Sequence, residues 1–272
     1  MIRETPVPEV TAEPVGPRAP DRLAHLAQHR GLIIRRSLLV GAVRGLFPLP
    51  VADEQIANRV LAGLLGKLAA GRQVDLPPAA GNALATGPGT VAGLTLAATA
   101  VIIARFVGRK FLAVLAAGRG ADEMARIFYL ATLFDHYCAK LHVGGPITIE
   151  DAKRVRRIIE AELAELTVGP ALTAFGEGGR ILGRTLLEAP RWISQRIRAL
   201  TERFVRSGGN PDILDAVTEP ALGEDTWLER AARAVEDALG RAGTDHLARM
   251  IDGFERKWRD EAGPGGGDSQ AD

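Results

Sequence analysis

The sequence is poor in several things, and each shortage excludes something. It holds one cysteine, Cys138, in 272 residues, which rules out an intramolecular disulfide and suits a reducing compartment. Aromatic residues make up only 5 %, and β-branched clusters are few, so no strand is expected. Lysine is scarce: 5 of the 34 basic residues are Lys and 29 are Arg. Motifs that need fixed spacing are missing as well. There is no Gly-x4-Gly-Lys-Ser/Thr phosphate loop, no dinucleotide fingerprint, no serine nucleophile elbow and no His-Glu-x-x-His zinc motif. The enzyme classes those motifs announce are set aside, and no cofactor is expected.

What the chain has in abundance is helix formers, with apolar residues recurring at three- and four-residue spacing. That pattern predicts an all-α fold, a multi-helix bundle. The most apolar stretch is charge-free from Leu76 to Ala104 and is followed by Arg105, Arg109 and Lys110. After Pro88 it predicts an apolar central helix over Gly89–Gly118. A membrane crossing needs about 20 apolar residues, and sixteen uncharged residues separate Pro88 from Arg105. Extending further would place three cations in the bilayer, at about 2.5–3.5 kcal/mol each. The stretch is therefore read as a buried core helix, with lipid contact as the alternative.

The net charge of +1 conceals a division. Residues 22–120 carry twelve Lys or Arg against three Asp or Glu, whereas residues 207–272 carry seven against fifteen. A basic, apolar front half suits an anionic membrane surface or an acidic protein partner. It equally suits the acidic rear half of the same chain.

Residues 1–20, with five prolines and no apolar run, read as a disordered arm and not as a signal peptide. A helical core domain is expected over 21–206, a C-terminal helical hairpin over 207–262 and a disordered Gly-rich tail over 263–272. The first helix should run from about Pro20 to Phe47, with Gly31 offering a break. The second should start at Ala52 or Asp53 and bury Ile56, Val60, Leu64, Leu65 and Leu68. Residues 71–88 read as a Pro/Gly/Ala connector with room for one helical turn. Ala121–Leu141 is a well-patterned helix with Phe128, Ala131 and Phe134 on its apolar face. Thr148 and Asp151 resemble a capping box, and the following run Lys153–Arg157 reads as a solvated face. Gly176–Arg180 reads as a flexible turn. In the hairpin, Leu228, Ala231, Val235 and Leu239 should face inward, as should Leu247, Ile251, Phe254 and Trp258.

Within this order, Pro48, Pro50 and Asp53 stand between two helices, among small or apolar neighbours. This helix–Pro-x-Pro-x-x-Asp–helix unit, over about residues 32–70, resembles bacterial hydrophobic helical domains of unknown function. These are the EcsC-like proteins and the domain appended to some GTP-binding proteins. The resemblance implies a membrane-proximal helical module and, with the Arg/Ala-rich composition, a bacterial one.

One constellation carries residues able to do chemistry. Asp135, Cys138 and His142 stand at offsets of 3 and 7, on one face of a helix. Such a set could ligate a metal or make an activated thiolate. Against that, a cysteine on an apolar face behaves by default as a small buried residue, and Asp135 has Arg105 or Arg109 as expected partners. No metal site is expected. His25 and His29 have the i,i+4 spacing of two ligands but read as a solvated helix face.

The function expected is that of a non-enzymatic helical protein, cytoplasmic or peripheral on the inner membrane. It would meet a membrane surface or protein partner through its basic front half, with Arg35, Arg36, Arg44, Arg105, Arg109 and Lys110 as contacts. The alternatives are a metal- or thiol-dependent enzyme using Asp135, Cys138 and His142, and a soluble helical scaffold. Nucleic acid is not an expected partner.

Overall fold

A computed structural model of the chain describes residues 22–46, 50–86, 119–165, 169–188 and 227–262, with backbone alone at 41–46, 50–57, 119, 182–188, 227 and 262. Among the described residues every regular element is helical. A single 3-10 turn, Ala24–Leu26, leads into α1 (Ala27–Leu46), and α2 (Pro50–Gly71) follows. The short α3 is Pro78–Ala85. Helix α4 (Arg119–His136) passes directly into a π-helical segment, Tyr137–Leu141. The remaining helices are α5 (Ile149–Glu165), α6 (Gly169–Glu188), α7 (Trp227–Arg241) and α8 (Asp245–Ala262). The fold is an all-α multi-helix bundle.

The expected central helix Gly89–Gly118 lies outside the described residues, as do residues 1–20 and 263–272. Among the described residues α4 fills the centre. Every residue from Ile127 to Cys138 is buried, as in a helix that is covered on all sides. Helices α1, α2, α5, α6 and α8 pack around it. Phe128 meets Phe175 of α6 with ring centroids 5.6 Å apart, and burying each such ring contributes about 1.5–3 kcal/mol.

Around this axis the apolar stripes behave as their spacing demands. Ile33, Ile34, Leu38 and Val40 of α1 are buried, as are Val60, Leu64, Leu65 and Leu68 of α2. Gly31 does not interrupt α1. The connector 71–88 contains α3, with Ala80, Leu84 and Ala85 buried. Proline at its first position is compatible with a helix start, because the missing N–H would have no helical partner there.

Two readings are corrected. Gly176–Arg180 is not a turn but lies within α6. Its glycine permits close approach: a Cβ on Gly178 would stand 2.5 Å from Val235 Cγ2 and 3.3 Å from the Ala231 carbonyl oxygen of α7. The run Lys153–Arg157 is not simply a solvated face. Arg157 donates to Glu261 at 2.8 Å, Arg154 lies 4.8 Å over the Trp258 ring, and Arg156 donates to the Leu84 carbonyl at 2.7 Å. These contacts hold α8 and α3 against α5. Just before the run, the Thr148–Asp151 capping box forms, with Asp151 N–H on Thr148 Oγ1 at 3.1 Å and Thr148 N–H on Asp151 Oδ2 at 3.2 Å.

Helices α7 and α8 follow one another and bury their expected stripes, with Trp258 half-buried. They dock on different neighbours: α7 on α6 and α1, α8 on α5 and α4. Ion pairs help join the basic front of the chain to its acidic rear. Arg35 meets Glu229 at 3.0 Å and Arg22 meets Asp252 at 3.1 Å.

Candidate functional site

Arg72 and five imidazole or carboxylate groups converge where the N-terminal turn, the end of α2, the end of α4 and the middle of α8 meet. Helix α2 closes with the left-handed cap of a Schellman motif. Val74 N–H bonds the Ala69 carbonyl at 2.9 Å and Gln73 N–H the Ala70 carbonyl at 3.0 Å, with Gln73 at φ +59°. This closure sets the direction of Arg72. Its guanidinium grips Asp135 with two parallel bonds, Nε to Oδ1 at 2.9 Å and Nη2 to Oδ2 at 2.8 Å. The same fork reaches Gln28 Oε1 at 2.9 Å and the His25 carbonyl at 2.6 Å. His29 Nδ1 donates to Asp135 Oδ1 at 2.7 Å. Asp135 is fully buried, and this charge-assisted set replaces the water it has lost.

The next residue on α4 faces another way. His136 Nε2 stands 3.0 Å from Glu255 Oε1 of α8, and His136 Nδ1 stands 3.0 Å from His25 Nε2. An ionised carboxylate only accepts, so in the neutral rings His136 Nε2 donates, its Nδ1 accepts, and His25 Nε2 donates. Arg22 closes the outer end, 3.5 Å from Glu255 Oε2. Burial, then the positive charges of Lys140 and Arg72, hold the His25 imidazole below its ordinary value. Burial, then His25, lowers His136 despite the opposing pull of Glu255. The two rings are thus neutral and linked in series near neutral pH.

His25, His136 and Glu255 border a cavity of about 610 Å³. Arg22, Lys140, Asp252 and Arg259 contribute charge to its wall, and Leu23, Leu141 and Ile251 contribute apolar surface. The π-helical segment, closed by His142 N–H on the Tyr137 carbonyl at 2.9 Å, carries Lys140 at its edge. Such segments inside or at the end of helices frequently mark functional sites.

No family model matches this chain, and no curated protein or solved structure does either. The chemistry of the site therefore rests on its own geometry.

That geometry does not assemble Asp135, Cys138 and His142. Asp135 is engaged by Arg72 and His29, while its expected partners Arg105 and Arg109 lie outside the described residues. Cys138 is buried, and burial, then the Asp135 charge, pushes its thiol up to about 12. It is a thiol, not a thiolate, at neutral pH. His142 lies beyond the π-helical segment in extended backbone, so helical spacing no longer governs where it points. It accepts from Tyr137 Oη at 3.3 Å and donates to the Gly145 carbonyl at 3.0 Å. Among the described residues no three His, Cys, Asp or Glu side chains are placed to hold a metal ion.

The expected surface contacts are also rearranged. Arg35 is paired with Glu229 and Arg36 is buried. The Arg44 side chain, Arg105, Arg109 and Lys110 lie outside what is described. His29 is buried and His25 half-buried, so the solvated-face reading of that pair is corrected too. Their i,i+4 spacing and the place of Asp135 on an apolar helix face are the sequence signals for this site. Arg72, His136 and Glu255 had none, because each gains its meaning from a partner far away in the chain.

Proposed function

We propose that this chain is a non-catalytic helical binding protein that takes a small molecule into the cavity between the N-terminal turn, α4 and α8. One observation carries the reading. Among the described residues Lys140 makes no ion pair, and Arg259 bonds only the Glu255 carbonyl in its own helix, at 3.2 Å. Both border a space of about 610 Å³, within the range of small-molecule sites. A bound ligand would complete these groups. A thiol-dependent activity is disfavoured, because burial holds Cys138 as a protonated thiol.

The test is a thermal-shift screen of small acids, alcohols and amines, with hits mapped by the imidazole NMR signals of His25 and His136. Binders should move those signals, and Ala248→Trp, which fills the cavity, should abolish binding. Hits that bind Ala248→Trp equally and leave both histidines unmoved would refute the cavity as the site.

A second reading, association of Gly89–Gly118 with an anionic membrane surface, is favoured by the uncharged run ending at Arg105, Arg109 and Lys110. Among the described residues no helix is long and apolar enough to cross a membrane. Flotation with anionic but not neutral vesicles, lost on changing those three cations to Gln, is the expected outcome. Absence of flotation at any salt concentration would end this reading.

A further inference from the structure

We infer that the ligand of this cavity is a monocarboxylate with a short apolar body, bound with its carboxylate toward Lys140 and Arg259. The inference rests on the cavity being a binding site and adds the chemistry of what enters it. Both acids on the wall are already engaged. Glu255 accepts from His136 at 3.0 Å and lies beside Arg22, and Asp252 pairs with Arg22 at 3.1 Å. Arg22, Lys140 and Arg259 face two carboxylates, which leaves one excess positive charge around the cavity. A monoanion neutralises it; a dianion would overshoot.

The excess is also placed to one side of the acids. Helices α4 and α8 run the same way here, Tyr129 meeting His246 and Tyr137 meeting Trp258, so Lys140, one turn after His136, and Arg259, one turn after Glu255, both lie beyond the His136–Glu255 bridge. A carboxylate there would gain charge-assisted hydrogen bonds, stronger than those between neutral groups. An alcohol would leave the cations unpaired, and an amine would meet them as a like charge. The remaining wall supplies Leu23, Leu141, Ala248 and Ile251, which a short hydrocarbon body would cover. Its apolar surface then leaves water on binding, which favours the bound state.

The experiment is calorimetric titration of the full chain at pH 7.5 with octanoate, octanol, octylamine and the dianion suberate. Octanoate should bind at least about tenfold more tightly than the other three, a tenfold ratio being about 1.4 kcal/mol. Lys140→Gln and Arg259→Gln should each bring octanoate toward the affinity of octanol, leaving octanol and the melting temperature unchanged. Both side chains are exposed, so neither variant threatens folding. Equal binding of octanol would overturn the carboxylate assignment, as would tighter octylamine or suberate. Either result would leave the cavity itself standing as a binding site. If none of the four binds, or Ala248→Trp binds octanoate unchanged, the cavity reading falls and the inference with it.

Discussion

Gly71 and His29 lie so close that a Cβ on the glycine would stand 2.5 Å from Nε2 of the ring. The other ring nitrogen is the one that bonds Asp135. The last residue of α2 is thus small because the Nε2–Cε1 edge of the imidazole comes up against it as the ring reaches the buried carboxylate. Gly71→Ala should tilt His29 away from Asp135 and destabilise the protein by about 1–3 kcal/mol, the usual range for overpacking. Urea denaturation measures it. In His29→Ala the same Gly71→Ala change should have little effect. Equal losses in both backgrounds would show that the two residues do not interact.

Asp135 is the more demanding partner. Removing it by Asp135→Ala leaves Arg72, with a side chain only 11 % exposed, facing the space of a missing charge. Breaking a buried pair from one side typically costs about 3–5 kcal/mol. The double variant Asp135→Leu/Arg72→Met removes both charges and should recover most of that loss. A double variant as unstable as the single one would show that the cluster is held by something other than the pair.

How much of this was legible beforehand differs residue by residue. The stripes of α1, α2, α7 and α8 follow from 3.6-residue periodicity, because burial of one face is a local rule. Asp135 was visible as a polar group on an apolar face, but its partner was not. Arg72 lies 63 residues away, and nothing local marks a residue for such a distant bond. The misread Gly176–Arg180 shows a different limit. Glycine serves both turns and close helix contacts, and composition alone does not say which. The Pro/Ala segment that became α3 has too little apolar contrast to declare a face, and its burial against α2 and α5 stabilises it.

The linked imidazoles predict a pH dependence with a definite sign. His25 and His136 both lie below their ordinary value in the folded chain, and so does His246, chiefly through burial. Below about pH 6.5, the unperturbed value, the unfolded chain takes up these protons more readily than the folded one. Stability is therefore full above that pH and falls as the solution becomes more acidic through the lowered values. The urea midpoint should drop between pH 7.5 and 5.5, and His25→Gln should flatten the profile. A midpoint that stays level or rises toward acid would contradict the burial of these rings.

Cys138 gives a direct chemical check on the end of α4. Burial, then the neighbouring Asp135 charge, pushes its thiol up to about 12, and its surface is 7 % exposed. Both the thiolate needed for reaction and the access needed by a reagent are therefore lacking. Ellman's reagent at pH 8 should leave the native protein unmodified and should react with one thiol once guanidinium unfolds it. Rapid modification of the folded chain would mean that the segment Tyr137–Leu141 opens, and the wall carrying Lys140 would then be no fixed surface.

Gly178 tests how α6 and α7 are held. The extra methyl of Gly178→Ala would meet Val235 Cγ2 at 2.5 Å, the Ala231 carbonyl oxygen at 3.3 Å and Leu38 Cδ2 of α1 at 3.4 Å. Backbone and branched side chain both resist displacement, so the helices must separate and the core around Val235 and Leu38, both fully buried, must loosen. Alanine also favours helix over glycine by about 1 kcal/mol, so a solvated glycine here would make the substitution stabilising. The sign of the change in melting temperature therefore decides between the two uses of glycine. A fall corresponding to about 1–3 kcal/mol is expected, with helix content retained by circular dichroism. A rise would restore the segment to a loop.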